Sequence, residues 1–233
     1  MKQFIIVLII SLLSFSSLYA QKKLFDNELF IGVGGGAKAS SVDFVPSIPQ
    51  NQKIDFFGGV STKYISQNHL GLIVEANYSR RGWEEKYDSE SEFSYSRTLN
   101  YIEVPFLTHV YFGNKTRFII NVGPQVSFLL SDKQDMSSAL AADVEVRKAI
   151  DPEAPIGVQY SSFDQLNRFD YGIVGGVGME VQTGIGNFDL EGRYYFGLGN
   201  IFESRRSQNA YFGRSAHRLL EAKLTYYIKA RSR

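Results

Sequence analysis

Only a few side chains in this sequence could act as nucleophiles, bases or metal ligands. There are three His and no Cys, which removes thiolate chemistry and leaves little for a metal centre. His217 has Ser215 two residues before it and Glu221 four residues after it. A lipid hydrolase would need such a nucleophile, base and orienting acid, held in mutual contact. Neighbours of this kind also arise by chance, and non-catalytic roles are expected for all three. His69 sits in a short polar turn and reads as a solvated residue, whereas His109 shares a strand face with Glu103 and reads as part of a polar network. The Gly32-Val33-Gly34-Gly35-Gly36 run lies inside an alternating pattern, so its glycines are expected to relieve crowding rather than to cradle a phosphate. The chain is therefore expected not to be an enzyme and to need no cofactor.

A larger set of chemically active residues is regularly spaced. Glu75, Glu103, Glu180, Asp189, Glu191 and Glu221 alternate with apolar neighbours, and so do Lys38, Lys63, Arg81, Arg117, Arg193 and Lys223. Six acids face six bases on what period-2 reading makes a common surface. If that surface is enclosed, the charges must compensate one another, because an unpaired buried charge is costly. The expectation is a salt-bridged lumen with no continuous pore.

The elements that would carry these charges follow from alternation. Leu70, Leu72, Val74, Ala76 and Tyr78 share one face of a strand, opposite Gly71, Ile73, Glu75, Asn77, Ser79 and Arg81. Phe118, Ile120, Val122, Val126 and Phe128 oppose Arg117, Asn121, Gln125 and Ser127. Similar stretches cover Leu29–Ala39, Ile54–Ile65, Tyr101–Phe112, Tyr171–Val181, Asn187–Gly197 and Arg218–Ile228. Eight strands suit an all-β, antiparallel, up-and-down transmembrane β-barrel. Tight connections at 66–69, 113–115 and 183–186 alternate with long ones at about 40–53, 82–100, 131–170 and 198–216. A short helix is expected within 137–150.

The opening residues read as an export signal. Lys2 precedes an apolar run from Phe4 to Leu13, and small or polar residues lead to Ala20. That layout predicts a signal peptide over 1–20 and a barrel domain over 21–233. The run is short of the roughly 20 apolar residues a helical anchor needs. The 25 Lys and Arg nearly balance 24 Asp and Glu, so no nucleic-acid partner is expected.

A soluble barrel would turn the apolar face inward and a membrane barrel outward. Export, the grouping of small with charged residues on one face, aromatics near strand ends and long strands favour the membrane. The expected location is the outer membrane, with its lipid as the first partner. Tyr111, Phe112, Phe118, Tyr226 and Tyr227 would mark one interface, and Trp83, Tyr87, Tyr194 and Tyr195 the other.

Several segments then resemble one family. Leu70–Gly82, the run Leu99-Asn-Tyr-Ile-Glu-Val-Pro105, Asn121–Leu130 and Phe169–Gly178 are similar to the PorT-type outer-membrane β-barrels of Bacteroidetes. So are the strand Asp189–Phe196 and the Gly199-Asn200-Ile201 turn, and the resemblance spans about 29–228. It implies an eight-stranded outer-membrane barrel and, through the family's named member, an association with type IX secretion. The terminal Lys229–Arg233 departs from the usual aromatic end, leaving Tyr227 as the nearest assembly signal. The function expected is structural or partner-binding, with secretion-complex proteins as partners. Trp83, Arg205, Arg206, Tyr211 and Phe212 are the expected contacts. The alternatives are a lipid-directed enzyme or a small-solute channel.

Overall fold

The fold was determined as a computed structural model, which describes residues 27–150, 166–202 and 212–232. The expected signal peptide lies outside these residues. The eight long strands form, and one two-residue strand joins them. They are β1 (Glu28–Val45), β2 (Gln50–Asn51), β3 (Lys53–Gln67), β4 (Leu70–Glu85), β5 (Tyr95–Gly113), β6 (Thr116–Met136), β7 (Phe169–Thr183), β8 (Gly186–Gly197) and β9 (Arg214–Ser232). Helix α1 spans Ser138–Ile150.

Every long strand pairs antiparallel with its sequence neighbour, and β1 also pairs with β9 from Glu28 to Val45. The sheet is closed around the lipid-facing band, where each long strand has a partner on both sides; beyond it, β6 past Phe128 pairs only with β5. Closure is what a β-structure in lipid requires. The tight turns use the conformations their residues allow: Gly113 and Gly186 have positive φ, as does His69. His69 is held there by its ring Nδ1, 2.9 Å from the Tyr111 carbonyl oxygen, while its own carbonyl accepts from the Tyr111 N–H.

The alternating faces point as expected on all eight strands. Leu72, Val74, Ile120, Val122, Val177, Leu190 and Leu224 are exposed on the outer wall. Their in-between neighbours Glu75, Asn121, Glu180, Glu191 and Lys223 are buried inside. The outward apolar stretch runs from Leu70 to Tyr78 on β4 and from Phe118 to Phe128 on β6. This matches the roughly 9–11 residues a tilted strand needs to cross the hydrocarbon. The expected aromatic girdles are only half correct. Phe112, Phe118, Tyr194 and the partly buried Tyr226 face outward, but Tyr111, Tyr227, Tyr195 and Trp83 are turned inward and buried. They fill a lumen too narrow to stay open in an eight-stranded barrel.

The strands also run further than alternation indicated. Segments expected as long loops contribute Ser40–Val45 to β1, Gly82–Glu85 to β4, Tyr95–Asn100 to β5 and Ser131–Met136 to β6. These extensions rise beyond the lipid-facing band and enclose an apolar core of their own. Val42, Phe44, Ile48, Trp83, Tyr95, Leu99 and Tyr101 meet Leu140 and Val144 of α1 and Ile201, Phe202 and Phe212. A bulge at Leu130 reverses the phase of β6, because Tyr101 pairs with Leu129 while Asn100 pairs with Ser131. Above it Asp132 and Gln134 turn toward β5 partners, as a bulge re-aims the side chains that follow it.

Candidate functional site

The interior of the barrel is the most highly organised part of the molecule. Each of the twelve charges read from the sequence as lumenal points inward, and all but Arg117 are buried. They form three linked groups along the axis.

Nearest the short turns, Lys63 on β3 bonds both Glu180 on β7 and Asp189 on β8, the latter at 3.0 Å. Arg117 of β6 adds a bond to Glu180 at 3.0 Å and covers the Tyr111 ring. A recess of about 500 Å³ opens here, bordered by Arg117, Gln182, Asn187 and Lys229.

At mid-height, Arg193 donates to both oxygens of Glu75 at 2.9 Å, a fork that also reaches Glu191 at 2.8 Å. Lys223 completes this group 2.6 Å from Glu75. Asn121 donates to Glu191 at 2.8 Å, and its carbonyl oxygen lies 2.7 Å from His109 Nδ1. His109 therefore enters the polar network through Asn121, not through Glu103.

Above this, Lys38 bridges Glu103 at 3.1 Å and Glu221 at 2.8 Å. Arg81 lies 3.6 Å from Glu103 and donates to Asp170 at 2.8 Å, while its guanidinium covers the Tyr101 ring. Tyr195 donates its hydroxyl to the same Asp170 oxygen. Alternation alone leaves Asp170 at the end of the 131–170 connection, yet it is the second residue of β7 and faces inward. The alternation Asp170, Gly172, Val174, Gly176 carries that signal.

Bulky and small residues interlock between these charges. Gly32 lies against Tyr227, where an added Cβ would come within 2.6 Å of the ring, and Gly172 lies as tightly against Tyr195. The glycines of β1 thus relieve crowding, as expected. Inward apolar residues Ile73, Leu107, Val174 and Leu219 pack with Tyr195 alongside the ionic groups. The low polarity around each pair makes partner removal costly.

The outer end is closed by aromatic contacts. The Phe44 ring centroid lies 5.3 Å from that of Trp83, edge-on, and 4.9 Å from Phe212. Phe202 joins both Trp83 and Phe212 at about 6 Å or less. Arg97 is buried beside this cluster and grips Asp132 at 2.7 Å. Glu85, at the end of β4 above the lipid-facing band, is also enclosed; burial pushes its carboxyl up to about 8.

Two site expectations change here. Trp83 and Phe212 are buried in the aromatic cluster, so they present no free surface to a partner. They belong inside because the outer extensions stand in water and need an apolar core. Arg205, Arg206 and Tyr211 lie outside the described residues. The residues Ser215, His217 and Glu221 come close in sequence but are not joined. Ser215 accepts the Phe202 N–H, Glu221 serves Lys38, and the His217 ring packs edge-on against Tyr101. Among the described residues, no group of three His, Asp or Glu side chains is arranged to hold a metal.

Several solved structures are similar to this chain. OprG of Pseudomonas aeruginosa, an outer membrane protein, is similar over 90% of this chain and 100% of its own, with a TM-score of 0.50 and 11% identity. Ail of Yersinia pestis, solved with the heparin analogue sucrose octasulfate, gives 0.41 at 14% identity over 86% and 99% of the chains. Neisserial surface protein A gives 0.42 at 12% identity over 85% and 96%. No curated protein matches the chain in sequence. A match to the family described as the outer membrane protein beta-barrel domain covers residues 19–203. With a closed sheet, an apolar outer wall and a charged interior, the chain belongs to that family and is an outer-membrane protein.

Proposed function

We propose that this barrel is a non-enzymatic scaffold of the outer membrane that works by binding a partner protein, in support of type IX secretion. The observation that carries this reading is the occupied interior. Among the described residues, ion pairs at three heights and an aromatic cap stand across the barrel axis, which turns attention to the outer surfaces as the places where specificity can reside. Loops on a rigid scaffold commonly hold binding residues.

With Trp83 and Phe212 buried, the contact surface is better drawn elsewhere on the outer end. A recess of about 350 Å³ lies between the ends of β4, β5 and β6, lined by Glu84, Ser94, Tyr95, Asp135 and Met136. Glu84 on its rim, beside Asp135 that is shared with Lys133, suits a basic segment of a partner. The secretion assignment is supported by the resemblance of Leu99–Pro105, Asn121–Leu130 and Phe169–Gly178 to PorT-type barrels. Affinity isolation of the intact protein from membranes tests both parts. Recovery of secretion components, lost on Glu84→Lys with Asp135→Lys, is expected. A partner-free protein that cleaves lipid, or unaltered export in its absence, would contradict the proposal.

A further inference from the structure

The outer wall carries a cluster of charge that stands apart from the lumenal ion pairs. Asp43 on β1 lies between Arg214 and Arg218 on β9, whose nitrogens approach the same carboxylate oxygen at 3.3 and 3.0 Å. Two guanidinium groups share one carboxylate, leaving one positive charge in excess. Arg218 is fixed in place: it donates to the carbonyls of Gly197 and His217 and covers the outward ring of Phe196 at 3.8 Å. Arg214 is less constrained: its side chain is 42% exposed, its Nε lies toward Asp43, and its guanidinium stands 5.9 Å from the Phe196 ring centroid.

The height of this cluster matters. Arg218 is followed on the same outer face by Leu220 and Leu224, both more than half exposed. The arginines therefore stand where hydrocarbon gives way to headgroups, at the end bearing the long connections. Directly below, the outer face of β1 carries only small residues. Ala39, Ala37 and Gly35 form the outer face of β1 there, with Ile54, Phe56 and Gly58 alongside on β3 and Leu220, Ala222 and Leu224 on β9. The register thus sets Ile54 and Phe56 on one side, and Leu220 and Leu224 on the other, of a shallow strip of small residues that ends at the arginine pair. A guanidinium pair over an apolar strip matches a phosphate joined to acyl chains. Arg suits phosphate because its planar donors engage two oxygens at once.

We propose that this face binds a phosphorylated glycolipid of the outer leaflet, with its phosphate on Arg214 and Arg218 and an acyl chain along β1. Asp43 competes with the phosphate for the arginines while holding them together. Opposite effects follow for the two partners. A basic side chain near a lipid surface contributes about 1 kcal/mol, or about five-fold in affinity. Native mass spectrometry of the mature protein in detergent, titrated with bisphosphorylated lipid A, reads this directly. Arg214→Gln should weaken binding about five-fold, and Asp43→Asn, which keeps the side chain's shape, should strengthen it by a similar factor. The parent protein should discriminate against the dephosphorylated lipid with the same acyl chains. Inorganic phosphate alone should not compete, since it lacks the chains. Equal binding of the dephosphorylated lipid, effective competition by inorganic phosphate, a second copy of the chain occupying this face, or no change in either variant would overturn the proposal.

Discussion

Replacing Glu75 by Gln should be among the most damaging single-atom changes available to this barrel. Glu75 is 2% exposed and is the shared acceptor of Arg193, Lys223 and Asn77. With its charge gone, two buried cations would face only Glu191, which already bonds Arg193. Removing one partner of a buried pair typically costs about 3–5 kcal/mol. The amide can retain part of the hydrogen bonding, so about 3 kcal/mol is expected here. Urea unfolding of protein refolded into lipid vesicles measures it, with Trp83, the single Trp of the sequence, as the reporter. The Lys133–Asp135 pair supplies a reference, because its side chains are 71% and 54% exposed; Asp135→Asn should cost no more than about 1 kcal/mol. Adding Lys223→Met to Glu75→Gln should recover part of the loss, since it restores the charge balance. A cost for Glu75→Gln as small as that of the exposed pair would refute the reasoning, because it would mean that water screens the lumen.

Other perturbations probe different layers. Arg in place of Val74 or Ile120, both on the lipid-facing wall, should cost about 2–4 kcal/mol near mid-membrane, measured by the same unfolding assay. Phe44→Ala should cost about 3–5 kcal/mol in the outer aromatic core; a Trp83 emission shift to the red would accompany it, and an unchanged spectrum would contradict the packing. Burial raises the Glu85 carboxyl to about 8 from an ordinary value near 4.5. The folded state then binds the proton more tightly than the unfolded state, so stability is greatest below the unfolded value and falls as pH rises toward 8. Glu85→Gln should flatten that decline between pH 5 and 8 in unfolding measurements, where the parent protein loses stability.

The faces of the eight strands were legible because lipid and lumen impose opposite demands on alternate residues. Val74 and Glu75 could hardly exchange places, and the twelve inward charges followed from that phase. The strand ends were harder to read. Above the membrane the outer neighbour becomes water, so Val42, Phe44 and Trp83 turn inward while Asp43 and Glu84 turn outward. The chain keeps its geometry while its hydrophobic phase inverts, and such inversion resembles a loop. The bulge at Leu130 adds a second break in phase. Ion-pair partners were not legible at all: Arg193 meets Glu75 across the barrel, 118 residues away, and strand stagger sets that meeting rather than spacing. For the same reason the residues Ser215, His217 and Glu221, close in sequence, have separate partners.

The ion-paired interior and its aromatic cap predict a barrel closed to ions. Planar-bilayer recording of the purified mature protein tests it most directly. Lys38, Arg81 and Arg193 are locked to buried carboxylates and the aromatic core closes the outer end. The recording should therefore show no steady single-channel current, with conductance emerging only when Glu75→Gln and Phe44→Ala are combined. Large, stable currents from the unaltered protein would contradict it.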